Sequence, residues 1–211
     1  MDIIRDPSLV LDLPLYLLDG SSFASKDMYG HLATPAGGAY WTPRGWYIDK
    51  TDSKITVANH TALQPTTAIS IIVWVYQIAW NGNARIAVKN DGTDYGLVFD
   101  ATNTRFTFNI NGGARQNPTV GTITTGVWYM LAGTYDSAIV NAFINGILVN
   151  AASGAYATAI NTSATDLCIG GRTADNAANV DGYIGEVQIY SRCLNPQEIQ
   201  NNYLATKFRY R

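Results

Sequence analysis

The sequence predicts an all-β protein, a two-sheet antiparallel jelly-roll sandwich that ends in one short helix. Short runs of β-branched and aromatic residues recur along the whole chain, and clusters of Gly, Asn and Asp separate them. This spacing is typical of the strands and turns of a sandwich. Asn-Gly and Asp-Gly dipeptides between the runs accept the positive φ that tight turns require. A helix signal follows Asn195, close to the last residue.

Length and composition indicate one domain, residues 1–211. The chain has 211 residues, of which 47% are hydrophobic, and this is enough to bury a substantial core. Only 14% are charged, the net charge is −2, and no basic run occurs. We therefore expect no nucleic-acid partner. Because no apolar run approaches the roughly 20 residues that cross a bilayer, we also expect no membrane partner.

The predicted strands follow these apolar runs, and their pairing is expected to be mostly antiparallel. The clearest hairpin surrounds Asn145-Gly146, which lies between two apolar arms as a type I′ turn requires. The other predicted strands are 9–19, 46–50, 54–59, 68–80, 85–90, 95–100, 105–111, 127–136, 166–171 and 182–191.

The last predicted strand contains an irregularity. Ile184, Val187 and Ile189 do not keep strict alternation, because Gly185-Glu186 interrupts it. An interrupted alternation at a glycine predicts a β-bulge or a close approach of another part of the chain.

The final helix has a complete start signal. Asn195 is a natural N-cap, Pro196 fits the first helical position, and Glu198 can reach back to form a capping box. Ile199 and Tyr203 then form an apolar stripe at helical spacing. We expect this helix to pack on the sheet.

The sequence offers little material for catalysis. It contains only two Glu residues, and Glu198 already has a role in the capping box. Asp91 and Asp94 lie in an Asn/Gly-rich segment that reads first as a turn. Neither His lies beside a nucleophile motif. We therefore expect the protein not to be an enzyme.

Two cysteines, Cys168 and Cys193, leave two alternatives open. They could form one bridge, or they could be free buried thiols, which we favour because two Cys in a chain of this length do not make a disulfide framework.

Aromatic residues are the main candidates for ligand contacts, since sugars place their apolar C–H faces on aromatic rings. Trp74 and Trp128 lie in apolar strands and are expected in the core, whereas three other Trp residues lie nearer loops. Such residues are more often partly buried rim aromatics than ligand contacts. The predicted ligand-binding residues are Trp41, Trp80, Tyr95 and Arg85.

Five segments together resemble a known family. The closing segment GYIGEVQIYSRCLNPQEIQNNY is similar to the end of laminin G-like, pentraxin-like domains of the concanavalin A-like lectin/glucanase superfamily. Four further segments resemble this family in the expected order: LYLLDGSSFASKDMYGH, AISIIVWVY, VWYMLAGTYD and AFINGILVN. The resemblance implies the jelly-roll fold and leaves function open, since this fold serves lectins, glycosidases, adhesion modules and virion proteins.

The resemblance also implies a structural calcium ion. Relatives often hold it with an Asp and backbone carbonyls of the first loop and an acidic residue of the closing motif, and these positions match Asp27, Gly30 and Glu186. The family's frequent Asp before that Glu is Gly185 here. The alternative is that Asp27 only forms a turn. The loop with Asp175, Asn176 and Asp181 offers a weaker second cation site.

We expect a non-catalytic virion structural or decoration protein with a lectin-like sandwich that binds glycans or other virion or surface proteins. The absence of an export signal and a resemblance of the ending to proteins of phage genomes favour this setting, on a virion or an extracellular surface. The alternatives are a carbohydrate-binding module of a secreted or cell-surface system and a glycoside hydrolase. Formation of an oligomer is left open.

Overall fold

The computed structural model describes residues 6–100, 106–111, 114–116, 122–153, 159–175 and 178–211. It confirms the predicted all-β sandwich of two antiparallel sheets with one short terminal helix. The strands are β1 Leu9–Leu13, β2 Phe23–Ala24, β3 Leu32–Ala36, β4 Tyr40–Thr42, β5 Gly45–Ile48, β6 Lys54–Val57, β7 Ile69–Gln77, β8 Arg85–Lys89, β9 Tyr95–Phe99, β10 Phe106–Ile110, β11 Ala114–Gln116, β12 Trp128–Tyr135, β13 Ile139–Ile144, β14 Ile147–Ser153, β15 Leu167–Ile169 and β16 Gly182–Tyr190. Helix α1 is Pro196–Thr206, and short 3-10 helices span Thr61–Leu63, Asn90–Gly92 and Lys207–Arg209.

Within the described ranges, each sheet has eight strands. Sheet A has the order β14-β13-β12-β7-β16-β5-β4, and β1 also pairs with β16. Sheet B has the order β11-β10-β9-β8-β15-β6-β3-β2. The sequence prediction missed β2, β3, β4 and β11, which are short and lack a clear apolar alternation. The predicted hairpin is confirmed, because Asn145 and Gly146 have φ values of 52° and 79°.

The main core fills the space between the sheets. Alternate residues of β7, such as Ile71, Val73 and Val75, face sheet B and are almost fully buried. Trp74 and Trp128 are also buried, as predicted, but they lie on the outer face of sheet A. There they belong to a second apolar cluster that α1 and the chain end cover.

The predicted irregularity in β16 is a β-bulge. The register of β16 against β7 shifts between Ile184 and Glu186, so Gly185 is the extra residue. The extra residue keeps Ile184, Val187 and Ile189 all in the core, which strict alternation could not do. The interruption seen in the sequence is therefore what keeps the apolar side chains on both sides of the bulge pointing into the core.

Helix α1 begins as predicted. The Asn195 side chain accepts from the Glu198 N–H at 3.0 Å, and a Glu198 carboxylate oxygen accepts from the Asn195 N–H at 2.8 Å. Arg192 joins this cap to the start of the chain, since its guanidinium contacts both Glu198 and Asp6 at 2.7 Å. Arg192 thus ties the start of α1 to the N-terminal end of the described chain.

The chain end returns over the bulge. The Tyr210 ring stacks on Trp74 with the centroids 4.4 Å apart, and it lies so close to Gly185 that a Cβ there would be 2.2 Å from the Tyr210 Cε1. A glycine at position 185 therefore leaves the space that the Tyr210 ring fills.

Glu186, next to the bulge, is 7% exposed. Gln188 Nε2 donates to its Oε1 at 3.1 Å, while Arg209 lies 3.9 Å from its Oε2. Burial, reinforced by the carboxylate of Asp12, raises the pKa of Glu186 to about 7, although Arg209 opposes the shift.

Both cysteines are free thiols, so the alternative of a bridge is wrong. Cys168 is buried and Cys193 is half-buried. No helix in the described ranges is long and apolar enough to span a membrane.

We expect Gly185→Ala to destabilise the protein by about 1–3 kcal/mol, because the new methyl group must displace the Tyr210 ring. Urea denaturation measures the loss. In the double variant with Tyr210→Ala, the two losses should be clearly less than additive. Gly182→Ala is the matched control, since its Cβ meets the backbone oxygen of Tyr76 and its loss should add to that of Tyr210→Ala. Additive losses at Gly185 would contradict the contact.

We expect the Glu186 carboxyl to make stability fall as pH rises. Its pKa is higher in the folded protein than in the unfolded chain, so the folded state loses up to about 3 kcal/mol relative to the unfolded state between pH 4.5 and pH 7. Glu186→Gln should be more stable than the wild type at pH 8 and similar at pH 4.5. The pH dependence of His31, whose pKa burial lowers, cancels because His31 is present in both proteins. If the wild type and Glu186→Gln were equally stable at pH 8, the Glu186 carboxylate could not be a destabilising buried charge.

Candidate functional site

Five aromatic residues form a row across the outer face of sheet A. Tyr40, Tyr47, Tyr183, Tyr76 and Trp128 are direct cross-strand partners on β4, β5, β16, β7 and β12. Neighbouring ring centroids are 4.9 to 5.9 Å apart. At about 4.8 Å per strand the row is roughly 19 Å long. We call these five residues the aromatic row.

Exposure and free hydroxyl groups distinguish the four tyrosines of this row from the core aromatics, whereas Trp128 is buried. Tyr40 is 52% exposed, and the three tyrosines that follow are half-buried. No hydrogen-bond partner from the described residues contacts their hydroxyls. In contrast, the Tyr95 hydroxyl donates to the Leu63 carbonyl oxygen. The row therefore offers apolar ring surface together with unused hydrogen-bonding groups.

A pocket lies at the Trp128 end of the row. Its volume is about 240 Å³, and Tyr76, Trp128 and Tyr210 provide its aromatic surface. Arg44 and Arg211 also line it. The Arg44 guanidinium carbon lies 5.9 Å from the centroid of the Tyr76 ring, a distance typical of a cation–π contact.

The β4–β5 hairpin places Arg44 at this pocket. The turn is closed by the Thr42 hydroxyl, which donates to the Gly45 carbonyl oxygen at 2.7 Å. Gly45 packs directly on β16, where a Cβ would be 2.3 Å from the Ile184 carbonyl oxygen. Because Gly45 has no side chain, the hairpin can lie close to the bulge, next to Tyr76.

The electrostatic environment changes along the row. Tyr47 lies near two acidic groups, and burial together with the charges of Asp181 and Asp49 raises the pKa of its hydroxyl. Positive charge is concentrated at the other end, at Arg44 and Arg211. The two ends of the row therefore differ in charge.

The structure places two of the predicted ligand-binding residues toward the core. Tyr95 is completely buried, so it has no surface to offer a ligand, and this corrects its assignment. Trp41 is half-buried and packs against the core between the sheets. The hairpin that contains Trp41 does reach the candidate site, but through Tyr40, Arg44 and Tyr47. The alternation of side chains along the hairpin could have predicted these residues, because Tyr40 and Tyr47 lie on the face opposite to Trp41.

The other two predicted ligand-binding residues lie away from the aromatic row. Trp80 is half-buried and packs edge-to-face on Phe99 at 5.3 Å. Arg85 is used within the protein, since its Nε donates to Asp91 at 2.7 Å and its Nη1 to the Asn83 carbonyl oxygen at 2.6 Å. The structure does not bring Trp41, Trp80 and Arg85 together in one described pocket.

The segment around Asp91 is a turn, as predicted. Asp91 has a φ of 53° and pairs with Arg85 and Arg172, while Asp94 is buried and accepts from Asn90 and Ser163. The two carboxylates therefore have separate partners within the protein.

The three predicted calcium ligands have partners within the protein. The Asp27 carboxylate accepts from the backbone N–H groups of Asp12, Tyr29 and Gly30 at 3.0, 2.8 and 3.2 Å. Glu186 contacts Gln188 and Arg209. No group of three or more His, Cys, Asp or Glu side chains that could hold a metal occurs in the ranges given above. A calcium ion at Asp27 would depend mainly on backbone carbonyls, and calcium binding stays a prediction.

The bulge contacts Tyr210 and Gly45. The strands at the two chain ends do meet, through pairing of β1 with β16. In the second predicted cation loop, Asp175 pairs with Arg172 at 2.6 Å, and Asn176 lies outside the described residues.

Comparisons with solved structures support the fold. Domain 4 of AbnA, an extracellular arabinanase of Geobacillus stearothermophilus solved with arabinotriose, has a TM-score of 0.72 and 16% identity over 92% of this chain and 97% of its own. Trypanosoma rangeli sialidase, solved with sialic acid, has a TM-score of 0.73 and 15% identity over 99% of this chain and 35% of its own. The receptor-binding domain of botulinum neurotoxin mosaic serotype C/D has a TM-score of 0.70 and 14% identity over 94% of this chain. This chain spans 51% of that toxin domain.

Comparisons of sequence identify the family. None of the curated proteins matches the chain significantly. A laminin G-like family model, described as the concanavalin A-like lectin/glucanases superfamily, matches residues 49–200. The chain therefore belongs to the laminin G-like family of the concanavalin A-like lectin/glucanase superfamily.

Proposed function

We propose that this protein is a non-catalytic carbohydrate-binding domain and that the aromatic row is its binding surface. The observation that carries the proposal is the row itself, in which half-buried tyrosine rings with unbonded hydroxyls end in a pocket. Sugars stack their C–H faces on such rings, and tyrosine hydroxyls can exchange hydrogen bonds with sugar hydroxyls. The fold shared with an arabinanase domain solved with arabinotriose supports the same class of ligand.

The row suits an oligosaccharide better than a single sugar, because it is roughly 19 Å long and crosses five strands. Its rings are tilted by 37° to 66° relative to their neighbours. Rings at different angles favour a flexible, twisted oligosaccharide chain over the flat surface of a crystalline polysaccharide. The rigid strands that carry the row would hold the rings in place before the ligand binds.

The proposal that the protein is not an enzyme rests on its carboxylates. Hydrolysis of glycosides generally needs two carboxyl groups across a substrate cleft. Glu198 caps α1, Glu186 is buried beneath the chain end, and Asp91 and Asp94 have separate partners. As the setting we propose the surface of a virion, where the domain would decorate the particle, with an extracellular module as the alternative.

We expect a glycan array to detect binding of one or more oligosaccharides, and we expect Tyr76→Ala to weaken it by at least about fivefold. Loss of one stacking ring removes about 1–3 kcal/mol of binding free energy by analogy with other stacked ligands. Trp80→Ala is the matched control, since it removes an aromatic ring away from the row, and its affinity should be unchanged.

Three results would contradict this assignment. The first is equal loss of binding in the two variants. The second is release of product from a bound glycan that Asp91→Asn abolishes, because this would make the protein a hydrolase. The third is a dimer in solution that Tyr40→Ser dissociates, because this would assign the row to a contact between subunits.

We propose calcium as a structural ligand at Asp27 and expect it to raise the melting temperature. A ligand at 100 times its Kd adds about 2.7 kcal/mol to stability, and each kcal/mol raises Tm by roughly 2–4 °C for a domain of this size. Differential scanning calorimetry with calcium and with chelator measures the shift.

Asp27→Ala should remove the calcium-dependent shift. Asp175→Ala, the control, should keep it, since Asp175 is paired with Arg172. Because Asp27→Ala also loses three hydrogen bonds, the shift must be compared with that variant's own metal-free Tm. A Tm of the metal-free wild type that is insensitive to calcium would leave Asp27 as a turn residue.

A further inference from the structure

We propose that the pocket at the end of the aromatic row binds an acidic terminal sugar, whose carboxylate contacts Arg44 and Arg211 while neutral sugars follow the tyrosines. This inference rests on the proposed function, because it specifies which glycans the row selects. It is derived from the distribution of charge around the row.

The arginines of the pocket are distinguished by their lack of protein partners. The structure describes six arginine side chains: Arg44, Arg85, Arg172, Arg192, Arg209 and Arg211. Four of them form ion pairs with Asp or Glu. The other two, Arg44 and Arg211, have no such partner within the described ranges, and both line the same pocket. Two guanidinium groups that form no ion pair with a described Asp or Glu and line one pocket are complementary to an anion.

The shape and surface of the pocket restrict the kind of anion. Tyr76, Trp128 and Tyr210 provide aromatic surface, so the ligand should have an apolar face as well as a negative charge. A sugar ring that carries a carboxylate has both. The planar guanidinium of arginine can bind a carboxylate through two parallel N–H donors, and this geometry favours a carboxylate at a defined position.

The opposite charge further along the row limits how many acidic groups the glycan should carry. Asp49 and Asp181 lie near Tyr47, because they directly follow and precede the paired residues Ile48 and Gly182 of β5 and β16. A carboxylate on every sugar would bring negative charge to this part of the row and would be repelled. The row therefore favours a glycan with one acidic sugar at its end, placed in the pocket, over a uniformly acidic polymer.

The test uses pairs of oligosaccharides, one ending in a uronic or sialic acid and its partner lacking only that acidic group. Two further ligands are measured: the methyl ester of each acidic oligosaccharide, and tetragalacturonate as a uniformly acidic glycan. Isothermal titration calorimetry with the full chain measures the affinities. We expect a terminal acid to increase affinity about tenfold, and we expect its methyl ester and tetragalacturonate not to do so.

Arg44→Gln should remove this preference, so that the acidic and neutral partners of each pair bind with similar affinity, whereas Arg44→Lys should keep part of the preference. Lys26→Gln is the matched control, because it removes one positive charge from an exposed residue in the loop that follows β2, outside the pocket lining, and should leave the preference intact. Arg44 is exposed in a tight turn, and circular dichroism verifies that its variants are folded.

The outcomes separate this inference from the proposed function. Equal affinity for acidic and neutral partners, or a preference that survives Arg44→Gln, would overturn the inference while carbohydrate binding stands. Binding of tetragalacturonate as tightly as of the singly charged glycans would overturn the requirement for a single terminal acid. Absence of binding to every oligosaccharide, neutral or acidic, would overturn the proposed function together with this inference.

Discussion

The backbone pairing of β16 is the constraint on which the rest of the structure depends. One edge of this strand pairs with β7 over its whole length, and the other edge pairs with β1 at residues 187–190 and with β5 at residues 182–184. The change from β1 to β5 occurs at the Gly185 bulge. The bulge thus lets one strand join the start of the chain and the β4–β5 hairpin in a single sheet, while its apolar residues stay in the core.

The same bulge determines which part of the outer face stays open. Because Gly185 has no side chain, Tyr210 can lie on it and cover Trp74 and Trp128, together with the apolar residues beneath α1. The cover ends at Tyr210, and beyond it the tyrosines of the row remain accessible. A buried aromatic cluster therefore continues directly into an exposed aromatic surface, which gives the exposed rings a rigid support.

Most other described arginines form ion pairs, unlike the arginines that line the pocket. Arg192 connects Asp6 with Glu198, and Arg85 and Arg172 share Asp91. These pairs are partly exposed, and each contributes modestly to stability. These ion pairs occupy arginine side chains that, from the sequence alone, could equally have contacted a ligand. Arg44 differs, because the hairpin turn directs it to an aromatic ring and no described carboxylate lies within ion-pairing distance.

The sequence by itself determined the fold class, most strands, the Asn145-Gly146 turn, the bulge and the capped helix, because each depends on local turn chemistry or on the period of apolar residues. Tertiary structure alone decided the candidate site. Sequence patterns placed Tyr47, Tyr76 and Tyr183 in predicted strands, but strand order and register brought them into one row. The same register placed Tyr95 in the core and paired Arg85 with Asp91. These pairings join residues far apart in the chain, and no local pattern carries the information about which strands become neighbours.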